Sequence, residues 1–421
     1  MNNASTSPHD RAAAALRRLG HGVNIMTTAL SALSAIDYQG LAQRVQHVRL
    51  CGSVVEPLID WSVCPGATRH FANDAEAVSS LRRSRHMREL KAAVMAAQRV
   101  GLPAVINPMH RLFTLEVKPD TLRWVWSAML LEFTEAAFPP EDFVFELTNE
   151  PGNYHNHSVV GGSYVAMLPA LLHRIAASQP SRVCIVGGEM GRRLNQGPLP
   201  HGGGTGGAGG GSASSTNGDA YLARAAASNP SLEFVNSGPG LIRDATHVHR
   251  LGERYPVIAT FHFYRPRNFT TQGSADVIHP QHRWLDTAAD VADLAEQFDA
   301  VASGLGAASH GGASHGGASH DGASHGGASH GGGAHASLPA SLRTPVYLGE
   351  FGVNVGSIPH EEDGVAWLRA VRTLCEERGF GWAYWTYFQS AKAATTAAAA
   401  SERLTQWDCS PHMAALFDGR G

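Results

Sequence analysis

Eight short runs of apolar, β-branched and aromatic residues punctuate this 421-residue chain, and most are separated by longer stretches with helical spacing. The runs are His21–Met26, His47–Gly52, Pro103–Met109, Phe143–Glu150, Arg182–Gly188, Val257–Tyr264, Val346–Gly352 and Gly381–Phe388. They are nearly continuously apolar, as strands covered on both faces should be, where a half-exposed strand would alternate. Between them, Ala75–Arg99, Leu122–Ala137, Ser163–Ser178, Thr287–Val301 and Glu361–Arg378 carry a helical period. Parallel strands need a crossover, and the crossover is usually a helix. Eight such units predict an α/β fold closed into a (β/α)8 TIM barrel. An open nucleotide-binding sheet is disfavoured, because no glycine-rich phosphate fingerprint follows the first run.

With 43% hydrophobic residues the chain can fill one large core, and a single barrel domain is expected over residues 16–418. A net charge of −3 gives no basis for nucleic acid or an anionic membrane as partner. No apolar run approaches a membrane span, and a monomer is expected. The opening MNNASTSPHDRAAAALRRLG lacks the apolar segment of a secretory signal, so either the protein stays inside the cell or a leader lies outside this sequence. Five scattered cysteines (Cys51, Cys64, Cys184, Cys375, Cys409) form no CxxC pair. They read as free buried thiols, with a Cys51–Cys64 bridge as the alternative. Two stretches break the barrel pattern. Residues 197–218 are Gly/Ser-rich, and residues 306–335 repeat GASHG with histidine at every fifth position. Neither contains the apolar surface needed to offset ordering, so both are expected to be flexible insertions in barrel connections. A His-rich tract can also bind transition metals.

A barrel of this type carries its site at the C-terminal ends of its strands. Read there, the runs present Arg49, His110, Asn149-Glu150, His262, Tyr264, Glu350 and Trp385. Glutamates at the ends of apolar strands are costly without a purpose. Either one alone could be a structural partner of Arg49, but both converging on one face suits glycoside hydrolysis. That reaction needs one carboxylic acid to protonate the leaving oxygen and one carboxylate to attack the anomeric carbon. Runs four and seven stand on opposite sides of an eight-stranded barrel, so their end residues face each other. Tyr264 can donate to the attacking carboxylate, and Trp385 offers a face for a sugar ring, or simply packs the barrel.

FVFELTNEP at Phe143–Pro151, IATFHFYRPRNFTTQG at Ile258–Gly273, VYLGEFGV at Val346–Val353 and GWAYWTYF at Gly381–Phe388 together resemble glycoside hydrolase family 5, the cellulase family of the retaining-barrel clan. HGVNI at His21–Ile25 and HVRL at His47–Leu50 are similar to its first two strands, so the resemblance runs from about Leu19 to Leu416. It implies Glu150 as acid/base, Glu350 as nucleophile, and Arg49, His110, Asn149, His262, Tyr264 and Trp385 as substrate-binding residues. Strand three departs from the family pattern: Asn107-Pro108-Met109-His110 places methionine where the family usually has histidine. The implied activity is an endo-β-1,4-glucanase acting on β-linked polysaccharide or oligosaccharide without metal or organic cofactor. A β-mannanase is the closest alternative. A glycan-binding barrel without catalysis would not require both glutamates. A metal-dependent hydrolase would want a His-x-His pair early in the chain together with later ligands, and the first run shows only His21 at its start.

Overall fold

The computed structural model describes residues 6–27, 33, 36–52, 54–58, 69–108, 119–149, 158–187, 247–270, 283–307, 343–354, 358–389 and 411–417. Eight parallel strands close into a barrel in sequence order. They are β1 His21–Thr27, β2 His47–Cys51, β3 Ala104–Asn107, β4 Phe143–Glu146, β5 Cys184–Gly187, β6 Val257–Phe263, β7 Val346–Phe351 and β8 Gly381–Gln389, with β8 pairing back onto β1. The fold expected from the eight runs is therefore the fold observed. Some runs are shorter as strands than as sequence patterns. The fourth ends at Glu146, so Asn149 lies in the connection beyond the strand. The Gly/Ser-rich stretch 197–218 and all six histidines of the pentapeptide array lie outside the described residues.

The helical stretch Ala75–Arg99 divides in two, Asp74–Arg83 and Arg85–Arg99. Ser84 between them is extended (φ −63°, ψ 151°), and its hydroxyl accepts the Met87 N–H at 3.0 Å. One residue thus ends the first helix and caps the second. Glu361–Arg378 forms as expected and is closed by Gly379 in the left-handed region (φ 67°).

A helix that the strand pattern did not predict, Pro8–Leu19, plugs the barrel floor. Its Ser7 N-cap accepts from the Asp10 N–H, and Pro8 opens its first turn. Ala12, Ala15, Leu16 and Leu19 form one buried cluster with the inward side chains of the strands, among them Val105, Val144, Ile185, Ile258 and Tyr347. The domain boundary expected at residue 16 falls inside this helix.

Side chains alternate along β2, which turns Val48 and Leu50 out to the helix layer while His47 and Arg49 point into the barrel. His47 lies just above the plug. Its Nδ1 is 2.7 Å from the Leu19 carbonyl and its Nε2 is 2.8 Å from the Tyr347 hydroxyl. A carbonyl only accepts, so Nδ1 carries the proton and Nε2 accepts from Tyr347. Burial pushes the His47 pKa down to about 3, which keeps the ring neutral. Gly22 stands against this ring, and a Cβ there would come within 2.3 Å of it.

Candidate active site

One layer above His47 the barrel interior becomes charged. Arg49 is fully buried, and all five of its N–H groups have an acceptor. Nε donates to Glu146 Oε2. Nη2 donates to Glu146 Oε1 and Asn149 Oδ1, both at 2.8 Å. Nη1 donates to Asn24 Oδ1 at 2.6 Å and to Glu350 Oε1 at 2.8 Å, and passes Cys51 Sγ at 3.2 Å.

Glu350 is held from two sides. Besides Arg49, the Tyr264 hydroxyl donates to its Oε2 at 3.2 Å, and His262 Nδ1 lies 3.4 Å from the same oxygen. It is buried to 4% exposure, so these partners replace water around the carboxylate. A carboxylate that receives such donors has its charge balanced and its geometry fixed.

The local backbone explains how Glu350 comes to point inward. Tyr347 faces the barrel interior and Leu348 the helix layer. Strict alternation would then send Glu350 outward. Instead β7 pairs Leu348 with Phe261 but Glu350 with His262, so Gly349 is an extra residue. The pairing with β8 shifts over the same residues, between Leu348 and Phe351. This is a β-bulge, and it re-aims the glutamate. A Cβ on Gly349 would stand 2.9 Å from Thr260 Oγ1 and 3.1 Å from His262 Nε2. Glycine is what lets β7 lie so close to β6 there. The Gly349 carbonyl is met by Asn24 Nδ2 at 2.9 Å. The same amide nitrogen lies 3.2 and 3.1 Å from the Ala383 and Tyr384 carbonyls, beside a second register shift between β1 and β8. Asn24 therefore serves the irregular backbone with its nitrogen and Arg49 with its oxygen.

Asn149 Oδ1 accepts from Arg49 and, at 3.2 Å, from Asn107 Nδ2. An arginine cannot accept, so the oxygen faces Arg49 and the NH2 is the group Asn149 can offer a ligand. Trp385 is half-buried in the middle of β8. Arg49, Asn149, His262, Tyr264 and Glu350 are thus joined in one contact network. Glu150 and His110 lie outside the described residues.

Sequence reasoning missed Glu146, Asn24 and Asn107. Glu146 was legible: it is a carboxylate within the apolar run Phe143–Leu147, two residues after the inward-facing Val144, and such a group requires a partner. Cys51 is a free thiol, as are Cys184 and Cys375, so the Cys51–Cys64 bridge is not made. Burial pushes the Cys51 thiol well above its usual range, which rules it out as a nucleophile. Cys64 and Cys409 lie outside the described residues.

Fold and interior together define a (β/α)8 barrel with a hydrogen-bonded network of Arg49 and buried carboxylates at the C-terminal ends of its strands. No protein-family profile matches the chain, and no curated protein matches it. Solved structures do share its fold. An endoglucanase superposes with a TM-score of 0.52 at 17% identity, covering 89% of this chain and 92% of that one. A hyperthermophilic endo-β-1,4-glucanase in complex with substrate gives 0.51 at 20% identity, with 89% and 91% covered. Thermotoga maritima Cel5A in complex with mannotriose gives 0.51 at 18%, with 90% and 92% covered. At such identities the likeness is one of fold.

Proposed function

We propose that this protein is a retaining glycoside hydrolase that cleaves β-glycosidic bonds, with family 5 character and endo-β-1,4-glucanase activity. The observation that carries the reading is the seat of Glu350, a carboxylate at the barrel mouth held by Arg49 and Tyr264 at 2.8 and 3.2 Å. A nucleophile for an anomeric carbon must be ionised and oriented before substrate arrives, and these donors do both. Glu150 follows Asn149 directly in the chain and takes the role of acid/base. In the first step Glu350 attacks the anomeric carbon while Glu150 protonates the departing oxygen, leaving a glycosyl ester on Glu350. In the second, Glu150 takes a proton from water, which displaces the ester and returns the product with its configuration retained. Asn149, with its NH2 group free to donate, binds a sugar hydroxyl beside the nucleophile, and Trp385 stacks on a ring.

β-Mannan is a second substrate to test, because Thermotoga maritima Cel5A has been solved with cellobiose and with mannotriose. The experiment is a hydrolysis screen of the purified chain on carboxymethyl-cellulose, mannan, xylan and laminarin, with early products followed by proton NMR. Release of the β anomer from a β-glucan is expected, abolished by Glu350→Gln. Early α product would sink the retaining mechanism, and an unimpaired Glu350→Gln would remove the nucleophile assignment.

A further inference from the structure

Arg49 carries one positive charge and is bonded to two carboxylates. Glu350 is explained by the proposed reaction; Glu146 is not. It is 1% exposed, sits inside β4, and occupies two of the five guanidinium N–H groups. If burying Arg49 required only a counter-ion, Glu350 would suffice. A second buried carboxylate adds its own desolvation and a like-charge repulsion across the guanidinium.

Its placement shows what it changes. Glu146 takes the Nε and Nη2 side of the fork in a bidentate pairing, the strongest arrangement open to an arginine. Glu350 is left with a single N–H, from Nη1. Without Glu146 the planar fork would be free to turn and grip Glu350 with two N–H groups. That would cover the lone pairs a nucleophile needs and place a full, unshared positive charge beside it.

We propose that Glu146 is a positioning residue that fixes the Arg49 guanidinium and limits the positive charge it presents to Glu350. The proposal rests on the reading of Glu350 as nucleophile. Among the described residues the titratable groups facing Glu350 are Arg49 and Cys51 from β2, His262 and Tyr264 beyond or within β6, Tyr347 from its own strand, and Glu146 across Arg49. Cys51 and Tyr347 are kept neutral by burial. The balance around Glu350 is therefore tuned by Arg49, Glu146 and His262.

The test is Glu146→Gln, which keeps the shape and removes the charge. The Glu350 carboxyl carbon is followed by 13C NMR in glutamate-labelled protein and assigned by its absence in Glu350→Gln. In Glu146→Gln its titration midpoint should move to lower pH by about one unit, since a neighbouring negative charge has gone. The acid limb of kcat/KM should move with it, and kcat should fall by roughly tenfold, a loss of nucleophilicity worth one power of ten. Glu146→Asp keeps the charge, so its midpoint should stay where the wild type has it. A Glu146→Gln protein that melts lower but titrates like the wild type would overturn the proposal, because Glu146 would then only support the fold. An equal downward shift in Glu146→Asp would overturn it too, as would failure of both variants to fold. The midpoint is read without substrate. A wild type inactive on every glycan would therefore sink the proposed function without deciding the NMR comparison.

Discussion

Acidification offers a direct measure of how completely the barrel floor is sealed. His47 is fully buried and held as one neutral tautomer between the Leu19 carbonyl and the Tyr347 hydroxyl. Burial lowers its pKa from the ordinary 6.5 to about 3. In the unfolded chain the ring takes up a proton as the pH falls through 6.5, while in the folded protein it refuses one until about pH 3. Between those values the unfolded state binds more protons, so stability is lost on acidification, by up to about 1.4 kcal/mol per pH unit. From pH 7 to pH 5 the loss from this one group is about 2 kcal/mol. The measurement is urea unfolding of the wild type and of His47→Gln across that range. His47→Gln should be less stable at pH 7, because it disturbs a packed site, yet its stability should fall by about 2 kcal/mol less on reaching pH 5. Carboxylates titrate alike in both proteins and cancel. Parallel stability curves would show that the folded protein admits a proton at His47, and that the floor is not closed by the N-terminal helix.

Tyr264→Phe removes one donor from Glu350 Oε2; a hydrogen bond to a charged group contributes about 1.5–3 kcal/mol, so kcat/KM should fall by roughly 10- to 100-fold. Its acid limb should move to higher pH, and an unchanged rate would show that the contact plays no part in turnover. Gly349→Ala places a methyl 2.9 Å from Thr260 Oγ1 and should cost about 1–3 kcal/mol in thermal unfolding while displacing His262 and slowing turnover. A fully stable, fully active variant would refute the bulge as the device that aims Glu350. With an activated aryl glycoside, azide should restore turnover in Glu150→Ala and give the β-azide, but give the α-azide in Glu350→Ala; the reverse pattern would exchange the two roles.

The barrel was legible because both of its periods are written in the sequence. Strands covered on both faces must be apolar throughout, and the crossovers between them must be helical. The residues at the strand ends were legible for a related reason, since Arg49, His262 and Glu350 interrupt apolar runs where only a partnered polar group can stay. What escaped was whatever depends on register. Val346–Gly352 reads as an unbroken strand, yet Gly349 is extra, and without that bulge Glu350 would face the helices. Asn24 stands one residue before Ile25 in an ordinary strand, and only the coincidence of two register shifts gives its amide three carbonyls to serve. The N-terminal helix was hidden for another reason: its alanines suit many environments, and nothing local shows that they fill the floor of a barrel.

The two inner layers differ in how they satisfy the same requirement. Both lie inside a closed barrel where an unpaired polar atom is expensive, and both contain polar side chains on β2. The lower one meets the requirement with neutrality. His47 can remain uncharged, because a hydroxyl and a carbonyl supply all that an imidazole needs. The upper one has to hold two buried carboxylates, Glu146 and Glu350, and it uses the residue whose shape matches the task. Arg49 reaches Asn24 on β1, Glu146 on β4, Asn149 beyond β4 and Glu350 on β7, and the fork spreads these bonds over one plane. A lysine has three donors at a single point and could not reach all of these acceptors. The planar fork thus replaces the layer of branched apolar side chains that would otherwise fill this level of a barrel, cross-linking opposite walls where packing alone would have held them. It follows that the rigidity of the barrel mouth and the seat of Glu350 depend on the same guanidinium.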